Sequence, residues 1–100
     1  MTHGDEEEPV RIDFDVAVPD TWLQRVRTTL REPGTAPVVI DMTHVTYTGP
    51  AALGALKIAA ADAAAAGREL WLDHVPAPVY KTLQLAKLAP LFQRVHHGTS

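Results

Sequence analysis

Residues Val38 to Leu56 read VVIDMTHVTYTGPAALGAL, and the fold follows from this stretch. Val38-Val39-Ile40-Asp41-Met42 is apolar at consecutive positions, so neither face of the segment suits water. A short run of this kind reads as a central strand of a sheet covered by helices. The next seven residues form a loop. Pro50 then opens an alanine-rich segment that runs to about Ala66, with proline suited to the first helical turn and Gly67 to the left-handed stop. Strand, loop and helix in this order make the first half of a parallel crossover.

The flanking segments extend the pattern. Upstream, Val10, Ile12, Phe14, Val16 and Val18 alternate with Arg11, Asp13, Asp15 and Ala17, the period of a strand with one buried face. Pro19 stops that strand, and Asp20 or Thr21 is placed to cap a helix in which Trp22, Leu23, Val26 and Leu30 recur at helical spacing. This helix ends near Pro33-Gly34. Downstream, Glu69 to Val75 reads as another strand. Val79, Leu83, Leu85 and Ala86 suggest a short helix, and Phe92 to Val95 a closing strand. The predicted class is α/β, with a central mixed or parallel sheet and helices packed on it.

One hundred residues, 46% hydrophobic and 21% charged, suffice for one core and not for two. The formal net charge of -3, with lysine and arginine scattered, argues against nucleic acid as a partner. Without cysteine there is no disulfide framework and no thiolate metal site. Residues 1–9, with the run Glu6 to Glu8, are expected to form a flexible acidic segment, 10–95 the folded domain, and 96–100 a flexible tail. The acidic start lacks the layout of a signal peptide, and no stretch approaches the roughly 18 apolar residues of a membrane span. A cytoplasmic protein without membrane insertion is expected.

Three segments carry a family resemblance. Val38 to Leu56 resembles the strand, loop and helix start of the STAS domain, the fold of bacterial anti-sigma factor antagonists and of the cytosolic tails of sulfate transporters. Ala63 to Val75, AAAAGRELWLDHV, is similar to its helix end, glycine and following strand; Val79 to Phe92, VYKTLQLAKLAPLF, to its last helix. The resemblance implies a STAS-like fold and a protein-binding role in bacterial signal transduction and transcription regulation, toward an ATP-binding serine kinase that also acts as an anti-sigma factor. The alternative it implies is an accessory STAS subunit of an ABC-type lipid transporter ATPase.

Two departures from the family pattern bear on function. The family usually begins with a two-strand hairpin, whereas one strand is evident here; an exposed sheet edge at that point would favour a homodimer by strand pairing. Signalling members also carry a phosphorylated Ser or Thr at the helix start, and aligning on Leu53-Gly54-Ala55-Leu56 places Pro50 there. Proline has no hydroxyl, so the phosphoacceptor position is degenerate. Thr48, and less directly Thr46, is the possible substitute acceptor.

On a helical wheel, Leu53, Leu56, Ala60, Ala63 and Ala64 fall on one side of the Pro50 helix, and Ala51, Gly54, Ile58, Ala61 and Ala65 on the other. A smooth outer face of small residues with one isoleucine suits contact with another protein. The predicted partner-binding residues are therefore Thr46, Thr48, Gly49, Pro50, Ala51, Gly54 and Ile58. Asp41 and Asp73 end two strands on the same sheet edge, where α/β proteins often bind ligands, although each also suits capping of a turn. The five histidines show no metal-ligand spacing, and no catalytic triad or phosphate loop is visible. Neither a metal, a cofactor nor enzymatic activity is expected.

Overall fold

The computed structural model describes residues 8–98. Residues 1–7 of the segment 1–9 expected to be flexible, and residues 99–100 of the expected tail, lie outside them. The chain runs β1 (Val10–Asp13), α1 (Pro19–Arg31), β2 (Val38–Asp41), α2 (Pro50–Ala65), β3 (Leu70–Val75), α3 (Ala77–Leu85), a 3-10 turn (Ala89–Leu91) and β4 (Arg94–His97). The sheet order is β1-β2-β3-β4, and every neighbouring pair is parallel. Each crossover thus steps in the same direction, and the right-handed rule places the three helices on a single face.

The core forms between that face and the helices. Ile12, Val38, Ile40, Leu70 and Leu72 of the sheet meet Trp22, Leu23 and Val26 of α1, Leu56 and a row of alanines of α2, and Val79 and Leu83 of α3. Phe14 packs edge-on against Trp22, centroids 4.6 Å apart. The other face carries Arg11, Val39, Trp71 and Arg94 in one cross-strand row. Arg94 stacks over the Trp71 ring at 4.5 Å, and Val39 is buried, as its place in the doubly apolar strand predicts.

Several boundaries differ from the sequence-based expectation. The alternation that predicts a strand as far as Val18 yields only Val10–Asp13, because the Asp15 carboxylate accepts the Ala17 N–H and turns the chain; Val16 and Val18 are left exposed. α1 starts at Pro19 with Val18 at the cap position and no side-chain cap, so neither Asp20 nor Thr21 plays that part. The closing strand is Arg94–His97 rather than Phe92 to Val95, since the 3-10 turn occupies the preceding residues. His96 and His97 consequently belong to the sheet, and Gly98 donates its N–H to Val75 O. The tail expected from residue 96 is corrected to that extent.

On α2 the buried set is Ala52, Ala55, Leu56, Ala59, Ala60 and Ala63. Leu53 is half-buried and Ala64 exposed, which corrects the inner face drawn from the helical wheel. Arg27 of α1 and Asp62 of α2 form an ion pair at 2.7 Å across the two helices. Arg68, 7% exposed, donates from Nε and Nη2 to Ala36 O and from Nη1 to Thr29 O. A buried guanidinium satisfied by backbone carbonyls fastens the end of α1 and the following loop to the start of β3.

Candidate functional site

The loop between β2 and α2 is built on alternating burial. Met42 N–H bonds Asp73 O and Val45 N–H bonds Met42 O; Val45 and Thr48 face inward while Thr46 and Tyr47 face water. Gly49 caps α2 in an extended conformation, Pro50 takes the first helical position, and Leu53 N–H returns to Gly49 O. Proline costs nothing here because its missing donor is one the helix start leaves free. A Cβ on Gly49 would lie 3.4 Å from the Tyr47 ring, so the ring lies close against this glycine. Tyr47 is 72% exposed.

Of the predicted contact residues, Thr46, Pro50, Ala51, Gly54 and Ile58 are all exposed. Ala51, Gly54 and Ile58 are spaced three and four apart and therefore share one stripe of α2, which continues through the exposed Ala61 and Ala65. Thr48 does not join them. It is 6% exposed, and its Oγ1 is buried without a hydrogen-bond partner among the described residues. Tyr47, absent from the predicted set, is the largest exposed side chain of the loop; an aromatic residue three positions before the helix start is the sequence signal for it.

Gly54 is the position that packing within the chain does not explain. It lies inside a helix, where glycine costs roughly 0.5–1 kcal/mol relative to alanine. A Cβ built on it meets nothing within 4 Å.

A second cluster lies at the carboxyl ends of the strands. Asp41 and Asp73 are register partners, and Arg11 of β1 donates to both, from Nη1 to Asp41 at 2.8 Å and from Nη2 to Asp73 at 2.7 Å. Asp41 also caps the turn after β2, accepting from the N–H and hydroxyl of Thr43, whereas Asp73, expected to end its strand, lies within β3, which runs on to Val75, and accepts the N–H of His74. His74, with φ of 54°, holds Nδ1 3.5 Å from both carboxylates. The two aspartates are thus engaged by the chain itself, and the cluster ties β1 to β2 and β3. Arg11 was illegible as their partner because the register that aligns it was unknown.

Burial pushes the Asp41 carboxyl up, but hydrogen bonds from Thr43, with His74 and Arg11 beside it, outweigh burial and hold it below the ordinary value. The hydrogen bond from Arg11 lowers Asp73 against the effect of burial, with help from His74. A carboxylate whose pKa falls on folding stabilises the fold above its unfolded value of about 4, and that contribution is lost as pH drops through the folded value. Arg11→Met is expected to cost about 0.5–1.5 kcal/mol at neutral pH, a modest figure because the guanidinium is half-exposed. The cost should shrink toward about pH 2. Urea denaturation at the two pH values measures it, and an equal cost at both would show that the carboxylates are not its source.

Among the described residues, this cluster included, there is no group of three or more His, Asp or Glu able to take a metal ion. A family model described as the STAS domain matches residues 9–98. A search of curated proteins finds no match.

Proposed function

We propose that this chain, which belongs to the STAS domain family, is a non-catalytic docking module that holds a protein partner on the 46–52 loop and the outer face of α2. STAS domains generally mediate contacts between proteins. The observation that carries the choice of surface is Gly54: a residue that costs helix stability and serves no packing within the chain is accounted for by close approach of another backbone. Ile58, within the stripe, and Tyr47, against Gly49 at the start of α2, are two of the exposed large apolar side chains and supply the anchors of this surface. The non-catalytic reading is supported by Asp41 and Asp73, whose carboxylates are taken up by Arg11 rather than left to act on a substrate.

The partner in this reading is an ATP-binding serine kinase acting as an anti-sigma factor, in the cytoplasm of a bacterium. No helix among the described residues is long and apolar enough to cross a membrane. With Pro50 at the degenerate acceptor position and the Thr48 hydroxyl buried, complex formation is not reversed by phosphorylation at the helix start. Incubating the chain with that kinase and ATP is expected to leave Thr46 and Thr48 unmodified, as mass spectrometry would read. Phosphate on either contradicts constitutive binding.

Affinity co-purification from the source organism, comparing wild type with Ile58→Asp, tests the surface. A kinase retained by wild type and lost with the variant is the expected result. A transporter ATPase retained in the same way keeps the surface and replaces the kinase with the alternative partner. Equal retention by both proteins removes α2 as the contact.

A further inference from the structure

Among the described residues β1 is an edge strand: it pairs with β2 on one side and ends the sheet order on the other. Val10 and Phe14 donate their N–H groups inward, to Pro37 O and Asp41 O. Because backbone groups alternate in direction along a strand, the N–H and C=O of Arg11 and Asp13 point outward, to the free edge. Edge strands commonly carry charge to discourage pairing. The charges of β1 are unusual in that respect, since they are of opposite sign and sit symmetrically about Ile12 in Val10-Arg11-Ile12-Asp13-Phe14.

We infer that a second copy of this chain pairs with β1 edge to edge, antiparallel, about a two-fold axis through Ile12. In that register Arg11 lies opposite the partner copy's Asp13, and Asp13 opposite its Arg11. These are the residues whose backbone groups face outward, so each pair exchanges both N–H···O bonds. Their side chains place opposite charges across the junction, while Val10 faces Phe14 on the helix-covered side. Asp13 makes no ion pair within the described residues, whereas Arg11 reaches inward to Asp41 and Asp73, so the acid is the free half of the new contact. The other edge lacks this symmetry. β4 carries Arg94, His96 and His97, and its pairing with β3 shifts register between Leu72 and Val75, so self-pairing there sets bases against bases.

The strand is only four residues long, which makes the contact small and the dimer weak. It uses a different surface from α2, so Ile58→Asp is expected to leave it unchanged. Sedimentation of the full chain from about 10 μM to about 1 mM tests the inference. Wild type is expected to shift from monomer toward dimer across this range. Asp13→Pro removes an outward donor and no intramolecular hydrogen bond; it should stay monomeric with an unchanged circular dichroism spectrum. Asp13→Lys, which sets a base opposite Arg11, should behave likewise and serves if the proline variant fails to fold. A wild type that stays monomeric throughout overturns the inference, as does a dimer indifferent to Asp13→Lys. Growth beyond the dimer, the mark of β1 joining β4 in an open chain, overturns it too.

Discussion

Gly54→Ala is expected to stabilise the isolated domain by about 0.5–1 kcal/mol, whereas Gly54→Gln is expected to weaken partner binding by at least about tenfold. The first result follows from the open space around Gly54: a methyl group there meets no neighbour and removes the entropic cost of glycine in a helix. The second follows from the same space being used by a partner. A side chain that water tolerates must be moved or crushed when a second backbone closes on the Ala51, Gly54 and Ile58 stripe. Thermal denaturation of the two variants, set beside affinity for the co-purified partner, reads both effects. The pairing of a more stable domain with weaker binding is hard to obtain from any purely structural role for the glycine. A glutamine variant that binds as wild type would remove Gly54 from the contact.

Arg68→Met is expected to destabilise the domain by about 1–3 kcal/mol, because it strips the Ala36 carbonyl of the two donors it now accepts and leaves Thr29 O with the Glu32 N–H alone. The methionine would fill most of the volume but return no hydrogen bond. Arg68→Lys should recover only part of the loss, since a single ammonium cannot reproduce the fork that now reaches Ala36 O from two nitrogens and Thr29 O from the third. Urea denaturation measures the differences. A loss within about 0.5 kcal/mol, the range of ordinary surface substitutions, would mean that the guanidinium is dispensable to the packing of α1 against the sheet.

The sequence makes the layout of the fold legible because its main cues are local. The doubly apolar Val38 to Met42, the proline and glycine that bound α2, and the spacing of Trp22, Leu23 and Val26 each report a short-range preference that tertiary structure leaves intact. The failures have a common cause in contacts the sequence does not print. Alternation ran on past Asp13 because Val16 and Val18 keep the strand period, while the Asp15 side chain turns the backbone. Arg11 and Arg68 look like ordinary surface charges until register and folding bring Asp41, Asp73 and the carbonyls of Ala36 and Thr29 to them. For the candidate site, the exposed stripe of α2 was readable from helical spacing alone. The inward turn of Thr48 and the position of Tyr47 were not, since both depend on how the loop lies over the helix start.

The docking surface is tested most directly by cross-saturation NMR, with the partner protonated and the STAS chain deuterated except at its amides. Irradiating the partner should attenuate the amides of Thr46, Tyr47, Ala51, Gly54, Ile58 and Ala61 and spare β1 and α3. Attenuation confined to residues outside the 46–52 loop and α2, with Gly54 and Ile58 unaffected, would contradict the account.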